Sequence, residues 1–159
     1  FIPADGCVFV SADYSQVELR VLAHVSGEPR LIESFIDDVD VHRRTASQLF
    51  DVPEDEVDAH QRDVGKTVNF ATIYGQGATA LAQQLGIERK EAKAYIDRYF
   101  ERYAAVREWL DATIAKAHET GMVETLAGHA VNFREGSRHD DIQAITHQIY
   151  HGCIIRTVR

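Results

Sequence analysis

Arg62-Asp63-Val64-Gly65-Lys66-Thr67-Val68-Asn69-Phe70-Ala71-Thr72-Ile73-Tyr74-Gly75 is the stretch on which the reading of this chain turns. Arg62, Lys66, Phe70 and Tyr74 recur every four residues, and positions i and i+4 stack on one face of an α-helix. Two cations, a phenylalanine and a tyrosine therefore form one stripe along a helix expected from about His60 to Tyr74, broken by Gly75-Gln76-Gly77. A core helix has no need of Arg and Lys in its apolar stripe, and a solvated helix has no need of Phe and Tyr in line with them. Arg62 and Lys66 stand in the first turns, where the macrodipole is already positive. That placement costs the helix up to about 1 kcal/mol but concentrates positive potential and free N–H groups for phosphate. Phe70 is placed to stack on a base or sugar, and Gly75 allows close backbone approach. The stripe fits a nucleoside triphosphate. An amphipathic helix whose Arg and Lys snorkel to water gives the same spacing.

Upstream, Cys7–Ala12 (CVFVSA) is a short apolar, β-branched run, read as a buried strand with Asp13 at its carboxyl end. A helix is expected from Ser15 to about Val25, with Ser15 and Glu18 at capping-box spacing and Gly27 and Pro29 stopping it. An acid at the end of a buried strand is a common place for a metal-binding carboxylate, and Mg²⁺ takes one or two carboxylates plus substrate phosphates. Asp13 as a helix N-terminal residue, with Glu18 as its capping partner, accounts for the same residues without catalysis.

Leu31–Ile36 and Val41–Phe50 read as short helices, and Asp51 with Pro53 as the opening of another turn. Thr79–Leu85 reads as a helix. Glu88 to about Glu119 reads as one long helical stretch, its apolar positions Tyr95, Tyr99, Tyr103, Val106 and Leu110 at helical spacing and Gly121 at its end. Met122–Thr125 and Ala130–Phe133, around Gly128, are expected to pair as a hairpin.

The formal net charge of −8 over 159 residues argues against a protein that simply coats nucleic acid, without excluding a local basic site. The acid is concentrated between Asp37 and Asp58, just before the cationic stripe. No apolar run approaches the roughly 20 residues that span a bilayer. Cys7 and Cys153 are too few for a disulfide framework, so a reducing cytosol fits. Phe1 and Arg159 are unusual chain ends, and the sequence is expected to be a piece of a longer protein.

Together, Asp13–Arg20 (DYSQVELR) and the pattern R-x3-K-x3-F-x3-YG from Arg62 to Gly75 strongly resemble motifs A and B of family A DNA polymerases, the bacterial DNA polymerase I type. Between them, Asp40-Val41-His42-Arg43-Arg44-Thr45-Ala46 is similar to that family's D-I-H-x-x-T-A segment. Order and spacing agree, and the similarity runs on through Ala80–Leu85 to Thr125–Gly128.

The resemblance implies a right-hand polymerase. The expected fold class is α/β (α+β) and mostly helical: a partial palm sheet plus a helical fingers subdomain. Residues 1–25 would be a palm segment with motif A, 26–119 the fingers with the motif B helix, and 120–159 a truncated, divergent return to the palm. The implied function is template-directed DNA polymerisation in replication and repair, with dNTP and primer–template DNA as partners. No membrane partner is expected. The intact protein would be monomeric and cytoplasmic, at the bacterial nucleoid.

Two Mg²⁺ ions would be the cofactors, ligated by Asp13 and assisted by the Tyr14 carbonyl, holding the attacking and leaving oxygens of an in-line displacement. Glu18 would close the sugar pocket against a ribose 2′-hydroxyl. His42, Arg62 and Lys66 would contact the triphosphate, and Lys66 would also protonate the departing pyrophosphate. Phe70 would pack on the incoming nucleotide and Tyr74 would shape the nascent-pair pocket. Gln16 and Arg20 would support the site or the duplex.

The sequence departs from the family's pattern in places. His129 and Ala130 stand where a basic cluster is usual, Asp63 where a second basic residue is common, and Ala71 where glycine is usual. Gly65 costs its helix about 1 kcal/mol relative to Ala. The family's second metal carboxylate belongs to a His-Asp-Glu motif on an apolar hairpin. His139-Asp140-Asp141 lacks that strand context, so the second carboxylate is expected beyond Arg159. Gln148–Cys153 only faintly echoes the family's next segment. The alternatives are a non-catalytic polymerase remnant and a helical nucleotide- or zinc-binding module, the latter from His147, His151 and Cys153, which lack an evident fourth ligand.

Overall fold

The computed structural model describes residues 2–126, 128 and 130–132. His139-Asp140-Asp141, His147, His151, Cys153 and the Gln148–Cys153 echo lie outside the described residues, as does Phe133 of the expected hairpin. Among the described residues there are seven α-helices: α1 (Val17–Ser26), α2 (Pro29–Ile36), α3 (Val41–Phe50), α4 (Ala59–Ile73), α5 (Ala78–Leu85), α6 (Arg89–Arg102) and α7 (Ala104–Thr120). A 3₁₀ turn at Glu54–Glu56 precedes α4, and two short strands, β1 (Met122–Glu124) and β2 (Ala130–Asn132), follow α7. The strands pair antiparallel with Val123 opposite Val131, as expected of the two short runs on either side of Gly128.

The helices enclose one main core. Leu19 and Leu22 of α1, Leu31 of α2, Val41 and Leu49 of α3, Val64 and Val68 of α4, Leu81 of α5 and Tyr99 of α6 all contribute buried side chains to it. Here helical spacing of apolar residues is converted into packing, which supplies most of the stability of helices this short.

Among the described helices, α3 and α4 pack together most extensively, and Gly65 permits their close approach. A Cβ on Gly65 would lie 2.9 Å from the Ala46 backbone nitrogen and 3.0 Å from the Ala46 Cβ, and closer still to the His42 carbonyl oxygen. The residue that weakens α4 in isolation is therefore the residue that lets α4 touch α3.

Four local expectations are corrected by the structure. Cys7–Ala12 is not a buried strand: Val8 and Val10 are more than four-fifths exposed, and no described segment pairs with the run. A strand is stable only with hydrogen-bonded neighbours and a covered face, and the described residues offer neither. The palm sheet expected from this run is accordingly not formed among them.

Ser15 and Glu18 do not form a capping box. The helix begins two residues later, at Val17, behind Gln16 in the left-handed conformation (φ 51°), without a side-chain cap. Asp51 does not open the next turn; it closes α3 in the left-handed conformation (φ 55°), its N–H donating to the Ser47 carbonyl.

The long helix expected over 88–119 is broken at Tyr103 (φ −111°, ψ 62°). No glycine or proline signals that break; its cause is tertiary. Arg30 Nη1 donates to the Arg102 carbonyl at 2.8 Å, and the buried Glu28 carboxylate accepts the Ala105 N–H at 3.0 Å. Its other oxygen accepts the Arg30 N–H at 3.2 Å. One carboxylate thus serves the N-terminal ends of both α2 and α7, where unpaired N–H groups and the helix dipole favour an anion.

Candidate functional site

A cleft of about 490 Å³ opens between the start of α1, the start of α3 and the Arg62–Lys66–Phe70 stripe of α4. Asp13, Tyr14, Gln16, Glu18, His42, Arg62, Lys66 and Phe70 line it, with Val17 and Leu19. Three segments separated in sequence thus converge on one cavity. Of the residues singled out from the sequence for the site, Tyr74 and Arg20 do not line it; Tyr74 joins through Glu18.

The α4 wall is built from the N-terminus upward. Asp58 caps the helix, accepting the Gln61 N–H, while the Gln61 side chain reaches back to the Asp58 N–H in a capping box. That start sets the phase which sends Arg62, Lys66 and Phe70 to the same side, one per turn. Arg62 Nε donates to Asp40 Oδ2 at 2.6 Å. Lys66 is exposed and has no ion pair among the described residues. The Phe70 ring lies 6.4 Å from the Tyr74 ring at 16°, stacked, and 5.8 Å from His42 at 41°.

The α3 wall starts at Asp40, whose Oδ1 caps the helix by accepting the His42 and Arg43 N–H groups at 3.0 and 3.2 Å. Burial alone would raise the Asp40 pKa. The Arg62 hydrogen bond, the Arg43 N–H, the Arg62 charge and the His42 N–H outweigh it and hold the carboxyl below its usual range. Asp40 therefore serves two purposes: it starts the helix that presents His42, and it keeps the Arg62 guanidinium at the cleft.

His42 is buried, only 3% exposed. Burial pulls its pKa down to about 4. The Arg62 and Lys66 cations push the same way, and Asp40 opposes them. The ring is neutral at neutral pH.

Behind the cleft, the Tyr74 hydroxyl donates to Glu18 Oε1 at 2.7 Å, tying the C-terminal end of α4 to the first turn of α1. Burial, then the hydrogen bond to Glu18 and its charge, raise the Tyr74 pKa, so the phenol stays protonated and the bond persists across the neutral range. This replaces the capping role expected of Glu18. Arg20 is turned away: Nε donates to the Ser15 carbonyl at 3.1 Å, and the guanidinium sits 4.5 Å over the Phe35 ring. Gln16 faces the cleft, and its buried Oε1 makes no hydrogen bond among the described residues.

No cluster of three or more His, Cys, Asp or Glu suited to a metal ion occurs among the described residues. The donor set at the cleft is narrower: the exposed Asp13 carboxylate, with the Glu18 carboxylate engaged by Tyr74. One free carboxylate suits Mg²⁺ only when phosphate oxygens and water complete the shell.

Asp40 and Asn69 are the residues whose roles sequence reasoning missed. Asp40 carried a signal, an acid directly before an expected helix. Asn69 also carried one, since Asn is disfavoured in a helix interior and its presence there asks for a partner.

Comparison with known proteins identifies the family. The family model described as DNA polymerase family A matches residues 1–148. DNA polymerase I of Pseudomonas aeruginosa is 47% identical over 135 residues, covering 85% of this chain and 15% of that protein. The thermostable DNA polymerase I of Thermus aquaticus is 46% identical over 128 residues, covering 80% of this chain and 15% of that protein. Among solved structures, the POL domain of Pol1 from M. smegmatis in complex with DNA primer-template and dNTP superposes with a TM-score of 0.81 at 34% identity, covering 88% of this chain and 26% of that one. The chain spans about 15% of the length of the curated relatives it matches. With the family model covering nearly the whole sequence and the α1, α3 and α4 residues converging on one cleft, the chain belongs to DNA polymerase family A.

Proposed function

We propose that this chain supplies the nucleotide-binding fingers and the first catalytic carboxylate of a template-directed DNA polymerase, taking a dNTP and acting on primer–template DNA in replication and repair. Residues 1–25 belong to the palm with motif A, 26–119 to the fingers with the motif B helix, and 120–159 to the return toward the palm. The protein works in the bacterial cytoplasm, at the nucleoid; no described helix is long and apolar enough to cross a membrane. The observation that carries the reading is the single cleft in which one free carboxylate, Asp13, faces Arg62, Lys66, His42 and Phe70.

Each residue has a task that the family resemblance implies and that its chemistry suits. Arg62 and Lys66 neutralise the triphosphate, with charge-assisted hydrogen bonds from the guanidinium and a mobile point charge from the ammonium. Lys66 is the only one of the pair able to give up a proton, so it is the acid for the departing pyrophosphate. Phe70, held between His42 and Tyr74, offers a flat apolar face to the nucleotide. Glu18, pinned by Tyr74, would exclude a ribose 2′-hydroxyl, as the resemblance implies, and Gln16 lines the cleft with it. Asp13, with the Tyr14 carbonyl, would hold Mg²⁺, which when bound would stabilise charge on the reacting phosphate oxygens. Base choice then rests on pairing and on the shape of the pocket.

The test is a calorimetric titration of the chain with dATP and Mg²⁺, beside the double variant Arg62→Ala, Lys66→Ala. Loss of at least tenfold in affinity is expected from removing two charge-assisted contacts. Equal affinity in both proteins would refute the reading.

A further inference from the structure

We propose that Asn69 is a positioning residue that fixes His42 in the tautomer carrying its proton on Nε2, so that the ring presents an N–H, and not a lone pair, to a phosphate oxygen in the cleft. The inference rests on the reading of that cleft as a triphosphate site. Asn69 is fully buried and lies on α4 between Lys66 and Phe70. Its amide Nδ2 is 3.1 Å from His42 Nδ1. An amide nitrogen can only donate, so Nδ1 must accept and be unprotonated. A neutral imidazole with a bare Nδ1 carries its hydrogen on Nε2.

The other end of the amide is held too, by a hydroxyl that acts as donor in this arrangement. Asn69 Oδ1 accepts the Thr45 hydroxyl at 3.1 Å, and Thr45 is itself buried on α3, on the turn after His42. The chain Thr45, Asn69, His42 is thus a directed series of donors running from the core to the cleft. Among the described residues the ring makes no other hydrogen bond, so Nε2 is the nitrogen left for a ligand. With the amide reversed, its oxygen would demand a proton on Nδ1, and Nε2 would turn a lone pair toward the anion. The choice matters because the ring is neutral: an imidazolium would offer N–H on both nitrogens, but the buried ring beside two cations is not charged at neutral pH.

The proposal also accounts for an asparagine where a helix interior disfavours one. A residue that served packing alone would have no need of an amide.

The experiment is long-range ¹H–¹⁵N correlation spectroscopy on the ¹⁵N-histidine-labelled chain at neutral pH, with the His42 signals assigned by their loss in His42→Gln. The expected spectrum has Nδ1 in the unprotonated, pyridine-like range and Nε2 in the protonated, pyrrole-like range. The opposite pattern overturns the proposal without any variant having to fold. Thr45→Val, which removes the partner that holds the amide oxygen without adding charge, is expected to give a mixture of both tautomers and to weaken dATP binding several-fold. Thr45→Val with the mixture but unchanged affinity would also overturn the positioning role. If the parent chain shows the expected tautomer but binds no dATP, the triphosphate reading falls, and the donor role falls with it.

Discussion

Replacing Gly65 with alanine sets two physical effects against each other, and the structure decides between them. By helix propensity alone, Gly65→Ala should stabilise α4 by about 1 kcal/mol. In the folded chain the new Cβ would lie 2.9 Å from the Ala46 nitrogen, 3.0 Å from the Ala46 Cβ and nearer still to the His42 carbonyl oxygen. Two of those three obstacles are backbone atoms of α3, which cannot rotate away as a side chain can. Relief requires α3 and α4 to move apart by most of an ångström.

Overpacking of that kind costs about 1–3 kcal/mol, and backbone obstacles place it at the upper end. The net expectation is destabilisation by about 2 kcal/mol. At roughly 2–4 °C per kcal/mol for a chain of this size, Tm should fall by about 4–8 °C. The displaced element carries Asp40 and His42, so the separation also loosens the Arg62 ion pair and the wall of the cleft. The assay is thermal unfolding followed by circular dichroism, with Asp63→Ala, exposed on the same helix, as a propensity control expected to be neutral or stabilising. An unchanged or raised Tm for Gly65→Ala would refute the account of the α3–α4 contact.

Three other outcomes follow from named contacts. Glu28→Ala removes the anion shared by the N-terminal ends of α2 and α7 and should cost about 2 kcal/mol, roughly 1 for each cap; chemical denaturation measures it, and a loss under 0.5 kcal/mol would show that the carboxylate is dispensable. His42 should titrate near pH 4 by NMR. Because its folded pKa lies below the unfolded value near 6.5, the unfolded chain binds more protons in between; stability is full above about pH 6.5 and falls by up to about 3 kcal/mol as pH drops toward 4, and an ordinary His42 titration near 6.5 would contradict this. The purified 159-residue chain should not extend a primer with Mg²⁺ and dNTPs, because among the described residues only Asp13 is available as a metal carboxylate at the cleft; extension would overturn that assignment.

Much of the helical layout was legible in the sequence because short amphipathic helices announce themselves locally. The expected bounds of Val41–Phe50 match α3 residue for residue, and those of α4 and α5 match to within a residue or so, since Gly75-Gln76-Gly77 separates the latter two. The hairpin was legible for the same reason. What failed was non-local. Ser15 and Glu18 have the spacing of a cap, but Tyr74, 56 residues away, holds the Glu18 carboxylate instead. The α6–α7 break is written in Glu28 and Arg30, which no local window over 88–119 includes. Cys7–Ala12 has the composition of a strand, but composition cannot supply the neighbouring strands. At the site, residue types and spacing indicated which side chains face the cleft. They could not reveal that Asp40 holds Arg62 or that Asn69 holds His42, because those bonds depend on how closely α3 approaches α4, and that distance is set by Gly65.

The central claim is that the cleft bounded by α1, α3 and α4 receives a nucleoside triphosphate. Chemical-shift mapping of the ¹⁵N-labelled chain during titration with dATP and Mg²⁺ tests it most directly. Perturbations should concentrate at Asp13, Gln16, His42, Arg62, Lys66 and Phe70. Perturbations centred instead on the separate cavity around His24, Trp109 and Met122, or none at all, would contradict it.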